Sequence, residues 1–160
     1  MKWEMITNII LGVAFLVLLV FVVLGICQWI SRKSLKKVDK ELLLMPVPLA
    51  LMAVCYFVFD KILILNTRPN GSGEASFPST HVMVAATIFL LVALILPRYI
   101  KKKAVCVGLD LMMLVLVVVM CVGRVLANMH WVSDVAGGLI FAAVFAIIYV
   151  VLIKKFSKRK

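Results

Sequence analysis

Two histidines are the whole imidazole supply of this 160-residue chain, and each has chemically useful neighbours. His81 closes the run Pro78-Ser79-Thr80-His81. His130 follows Arg124 with five residues between them, and Asp134 follows His130 with three between. Upstream, six residues separate Lys61 from Arg68-Pro69. Residues four apart share a helical face within hydrogen-bond range. Asp134 is therefore expected to hold the His130 ring in one tautomer, leaving its other nitrogen free to attack. Lys61, Arg68 and Arg124 would converge as three fixed cations beside the helix amino terminus after Pro78, where free amides and a positive dipole favour an anion. The anion they suit best is a phosphate, whose transfer needs positioning and charge stabilisation.

Taken singly, each residue has a plainer role. Lys61 can snorkel to an interface, Arg68 and Arg124 can anchor headgroups, Ser79 or Thr80 can cap a helix, Asp134 can cap the next one, and His130 can be a polar loop residue. The set is what points to chemistry, because lysine and arginine at membrane depth are expensive and usually functional.

The surrounding chain is built for lipid. Hydrophobic residues make up 65% of it and mean hydropathy is +1.17, well above roughly 45–50% apolar in a soluble domain. Five apolar runs stand out: Ile6–Ile30, Leu42–Leu65, Val82–Pro97, Ala104–Val122 and Val135–Ile153. About 20 residues cross the hydrocarbon core as a helix, and only the third run falls clearly short. The fold expected is an all-α integral membrane bundle of about five transmembrane helices, forming a single domain over residues 1–160.

A net charge of +11 raises nucleic-acid binding, but the basic residues sit in clusters between apolar runs and not along one face. Fourteen of the eighteen lie after the first run, after the third, or in the tail, including Lys158, Arg159 and Lys160. Such clusters mark the cytoplasmic side. The amino terminus is then outside and the carboxyl terminus cytoplasmic, with Asn66–His81 and Gly123–Asp134 sharing the outer face. Cys27, Cys55, Cys106 and Cys121 all fall inside apolar runs and read as small apolar side chains.

At the level of motifs, the sequence resembles the type 2 phosphatidic acid phosphatase superfamily, which also includes vanadium haloperoxidases. Lys61, Arg68, Pro69, Pro78, Ser79, His81, Arg124, His130 and Asp134 match its ordered pattern across residues 61–134. Two positions depart: Thr80 replaces a glycine, which raises the question of backbone conformation, and Gly123 replaces a serine, which removes a hydroxyl donor. The family more often has six spans; five leave a thinner bundle open to packing with a second copy as a homo-oligomer.

The resemblance implies a site and a mechanism. His130 is the nucleophile that forms a phosphohistidine, Asp134 orients it, and His81 is the general acid and then base. Lys61, Arg68, Ser79, Thr80 and Arg124 hold phosphate oxygens. No metal and no cofactor are expected, and no role follows for Glu74.

An outward site in a plasma or bacterial inner membrane, with only residues 70–77 between motifs, favours a lipid phosphate substrate. Undecaprenyl (polyprenyl) diphosphate is preferred, with phosphatidic acid or phosphatidylglycerol phosphate as alternatives. A non-catalytic lipid-phosphate binder could dispense with the two histidines and Asp134, and all three are present. A transporter would place acids mid-membrane; Asp110 is the one candidate, and Lys101–Lys103 nearby suggest an interfacial pair.

Overall fold

The computed structural model describes residues 2–157, so Lys158, Arg159 and Lys160 of the basic tail lie outside the described residues. Within it the chain is helical: α1 Lys2–Arg32, α2 Lys40–Leu44, α3 Pro46–Phe57, α4 Thr80–Tyr99, α5 Lys103–Leu126 and α6 Val132–Ser157. A 3₁₀ turn, Leu35–Lys37, joins α1 to α2, and a π-helical turn, Val58–Ile62, prolongs α3. Five stretches are long and apolar enough to cross a membrane: Lys2–Arg32, Lys40–Ile62, Thr80–Tyr99, Lys103–Leu126 and Val132–Phe156. This is a multi-pass membrane protein.

The second span is broken where its sequence requires. Pro46 has no amide hydrogen and its ring crowds the preceding turn, so α2 ends at Leu44 and Pro46 opens α3 as its first residue. The helical path stops at Ile62, three residues before the apolar run ends. The fourth run is longer than its hydropathy suggests: α5 continues to Leu126, which puts Gly123 and Arg124 inside a helix and not in the outer loop.

The central helix is α4, flanked by α6, α5, α1 and α3. Val82, Met83, Ala85, Ala86, Ile88, Phe89, Leu91, Val92 and Ile95 are all buried, and the exposed strip through Leu90 and Leu94 is apolar too. The sequence therefore shows little amphipathic pattern. Glycine sets the distance to α6. A Cβ at Gly138 would lie 2.9 Å from the Ser79 carbonyl oxygen, and one at Gly137 would overlap the Phe77 ring. Small residues let backbones meet closely in membranes, and here they bring the start of α4 against the start of α6. A third glycine does the same for α1. A Cβ at Gly123 would lie 2.7 Å from the Thr7 methyl and 3.3 Å from the Trp3 ring.

The two ends of the bundle differ in chemistry. At one end lie the starts of α1, α4 and α6, the end of α5 and the loop Leu63–Ser79. At the other, Asp39 accepts from Gln28 Nε2 at 2.8 Å, Tyr99 Oη at 3.0 Å, Arg32 Nη1 at 3.1 Å and Arg98 Nη2 at 3.4 Å. Arg98 also meets Glu41 at 2.8 Å, and Tyr99 stacks edge-on to Phe21. The expected pairing of Asp110 with Lys101–Lys103 is corrected: among the described residues it has no cation partner within 4 Å. Its Oδ1 is buried without a partner beside Ala86, Phe89 and Leu139. Seven helical residues beyond Lys103 amount to about 10 Å along the axis, too far for the pair.

Candidate active site

The loop before α4 is folded back on itself. Thr67 and Ala75 form an antiparallel bridge, the Arg68 amide donates to the Glu74 carbonyl at 3.1 Å, and the Ser76 amide donates to Asn66 O at 2.8 Å. Gly71 (φ +78°) and Gly73 (φ +73°) turn the chain between them, in a conformation that glycine adopts without penalty. Trp131 Nε1 donates to Thr67 O at 2.9 Å, tying this hairpin to the second loop, and the Ser79 amide donates to Asp134 O at 2.9 Å. The two motif-bearing loops are one assembly.

His130 lies at its centre, buried. Its Nδ1 is 2.8 Å from the Ser76 carbonyl oxygen and its Nε2 is 3.2 Å from Arg124 Nη2. A guanidinium only donates, so this network puts the ring proton on Nδ1 and leaves Nε2 with its lone pair. Burial, then the Arg124 charge, lower the His130 pKa to about 4, against opposing contributions from the Ser76 carbonyl and Asp134. At neutral pH the ring is uncharged, as a nucleophile needs to be.

Asp134 holds this arrangement from behind, which corrects the expected direct contact. Residue 130 precedes α6, so the pair is not on one helical face, and Nδ1 is 3.8 Å from Asp134 Oδ2. That carboxylate oxygen instead accepts from the Trp131 amide at 2.8 Å and from the Ser76 hydroxyl. Asn66 Nδ2 approaches the other oxygen at 3.4 Å. Ser76, buried and touching both His130 and Asp134, was not visible in the motifs; nothing in its sequence context separates it from an ordinary loop serine.

Arg68 and Arg124 converge on this centre, and Lys61 does not. The π-helical turn, closed by the Leu63 amide on Val58 O at 2.8 Å, winds wider than an α-turn. Asp60 thereby lines the pocket with Phe59, Arg68, Thr80 and His130, while Lys61 points away, 64% exposed, with Nζ 2.8 Å from Asp60 Oδ2. Arg68 Nη1 meets Glu74 Oε2 at 2.6 Å, which gives Glu74 the partner the sequence did not reveal.

Ser79 is the N-cap residue of α4, yet its hydroxyl makes no capping bond. Ser79 Oγ, Arg68 Nε and Arg124 Nε are buried with no partner in the protein. Buried donors are normally satisfied; here Arg124 also touches His130 and Arg68 shares its pocket. Thr80 needs no positive φ, since among the described non-glycine residues only Lys33 and Asn128 have one, so the family glycine is dispensable here on backbone grounds. His81 sits in the first turn of α4, its Nε2 3.0 Å from Asn8 Oδ1. Among the described residues no three His, Cys, Asp or Glu side chains are grouped to hold a metal ion.

A family model described as the PAP2 superfamily matches residues 55–158. The chain belongs to that superfamily. It is a membrane phosphoric monoester hydrolase of the lipid-phosphatase kind. Its fold is similar to a solved structure, a transmembrane PAP2 type phosphatidylglycerolphosphate phosphatase from Bacillus subtilis. The two share 21% sequence identity, with a TM-score of 0.72 over 96% of this chain and 79% of that one. No curated protein sequence matches the chain. The PAP2 match begins within α3 and thus leaves α1, which carries Asn8, outside it.

Proposed function

We propose that this PAP2 protein removes a terminal phosphate from a lipid through a phosphohistidine on His130, without a metal. The observation that carries the reading is the set of unpartnered buried donors, Ser79 Oγ, Arg68 Nε and Arg124 Nε, at the end of the bundle that holds His130, whose unprotonated Nε2 lies 3.2 Å from Arg124. A phosphate would accept from all three, and Arg124 would exchange His130 for a phosphate oxygen on binding. The Nε2 lone pair attacks phosphorus, the bond to the lipid oxygen breaks, and His81 gives that oxygen its proton. Water then attacks the phosphohistidine, His81 takes the water's proton, and inorganic phosphate leaves with His130 restored.

An apolar groove between α1, α3 and α4, lined by Leu11, Phe15, Met52 and Tyr56, ends at Thr80 and His81. That continuity supports a substrate with a hydrocarbon chain. The basic clusters sit at the end opposite the site, which supports a site on the outer face of the membrane. A polyprenyl diphosphate such as undecaprenyl diphosphate fits an outward site beneath so short a hairpin. Phosphatidylglycerol phosphate is the second reading, favoured by the substrate of the similar Bacillus subtilis structure.

The test is a trapped intermediate. Detergent-solubilised protein, given each labelled lipid phosphate in excess EDTA and quenched in alkali, should carry an acid-labile, alkali-stable phosphate, absent from His130→Ala. Label that survives acid, persists in His130→Ala, or needs magnesium would refute the mechanism; the lipid that labels fastest names the substrate.

A further inference from the structure

We infer that Asn8, on the first helix and outside the PAP2 match, is a positioning residue for His81. Its Oδ1 lies 3.0 Å from His81 Nε2. An amide oxygen at that distance accepts the Nε2 proton, so Asn8 fixes the ring's rotation and favours the doubly protonated ring, whose Nδ1 proton is the one an acid can give. The inference rests on the proposed role of His81 as the proton donor.

The rest of α1 explains why Asn8 is held there. Thr7, Ile10, Ala14 and Phe21 are the buried residues of α1, and they lie at helical spacing on one stripe. Thr7 fits against Gly123, one residue from Arg124, and its hydroxyl donates to Glu4 O at 2.9 Å. That contact fixes the rotational setting of α1, and Asn8, the next residue, is turned toward α4. Asn8 itself is exposed on α1, and its bond to His81 is the side-chain link from that helix to the start of α4. An asparagine also suits the task chemically, since it accepts a hydrogen bond and never titrates. The groove along Leu11 and Phe15 reaches His81 on the same side, so the leaving oxygen of a lipid would arrive where Asn8 holds the ring.

A structural role and a positioning role part company when the leaving group changes. An alkoxide leaving group needs the proton of His81, whereas a nitrophenolate hardly does. On the full-length protein in detergent, single-turnover cleavage of short-chain phosphatidic acid should fall about tenfold in Asn8→Leu, part of the about 10²–10⁴-fold that general acid catalysis supplies. The nitrophenol burst from p-nitrophenyl phosphate should change less than about twofold. Asn8→Asp keeps an acceptor oxygen in place and should restore most of the lipid rate. In a His81→Ala background, Asn8→Leu should add no further loss, as expected for two residues acting through one another. Equal losses on both substrates, no loss, or an additive loss in the His81→Ala background would each overturn the inference. If Asn8→Leu does not fold, Asn8→Ala is compared in the same way. Failure of the mechanism itself shows elsewhere, as a burst that survives His130→Ala.

Discussion

The two ends of this bundle use the same side-chain types to opposite purposes. At the basic end, Asp39 is saturated: Gln28, Arg32, Arg98 and Tyr99 all donate to it, and its own amide donates back to Gln28 Oε1 at 3.0 Å. Burial pushes the Asp39 carboxyl up, yet those hydrogen bonds together outweigh it and hold the pKa at about 2. At the site end, Arg68 and Arg124 keep buried donors without partners and Ser79 leaves its hydroxyl unused. One end spends its charges on itself and locks α1, α2 and α4 together. The other pairs Arg68 with Glu74 yet leaves one nitrogen of each arginine unpartnered, as the proposed phosphate site requires. The difference teaches that satisfaction of polar groups, more than their presence, separates a structural cluster from a receptive one.

Removing a charge at each end should break the comparison in opposite ways. The largest effect is expected from Arg124→Ala. Loss of a preorganised donor typically costs about 10²–10³-fold in turnover, and lipid phosphate release should fall by that order with little change in the melting temperature. A variant that melts early but turns over normally would place Arg124 among the structural residues.

Asp39→Ala should do the reverse. Losing a carboxylate shared by two part-buried donors and two exposed arginines destabilises by roughly 1 kcal/mol, read as a lower melting temperature in detergent, with turnover below the transition held within about twofold. The sign against pH follows from a folded pKa below the ordinary 3.8. The Asp39 contribution is complete above pH 3.8 and is lost as pH falls through about 2. An unchanged melting temperature would mean that this cluster is ornamental.

The smallest effect sharpens the comparison without breaking it. Ring NMR of the solubilised protein, assigned with His130→Gln, should give His130 a midpoint near 4 and not the ordinary 6.5. The contribution of the neutral ring to stability is then complete above pH 6.5 and is lost as pH falls through about 4. Because Arg124 is the second cause of that shift after burial, Arg124→Ala should raise the midpoint. A midpoint at or above 6.5 in the unaltered protein would remove the free lone pair from the mechanism.

Much of this was legible in the sequence for a simple reason. Charged and imidazole side chains stand out against 65% apolar residues, so Arg68, His81, Arg124, His130 and Asp134 announced themselves, and hydropathy alone located five spans. What stayed hidden depends on winding and juxtaposition. A π-helical turn, which no local pattern marks, exchanges Lys61 for Asp60 at the pocket. Ser76 matters only because the hairpin folds it onto His130, and Asn8 only because α1 packs beside α4 at a distance of 73 residues. The supposed His130–Asp134 helix face failed because α6 begins at Val132, after the first of the pair.

Gly123 carries a consequence for tinkering with the chain. The family's serine would put its Cβ 2.7 Å from the Thr7 methyl, so admitting the familiar residue requires Thr7 to shift. Reverting a sequence toward its consensus is ordinarily a safe route to a sturdier protein. Here reversion would press on Thr7, the residue beside the amide that steadies His81, so this departure from the pattern is a notch into which the first helix is keyed.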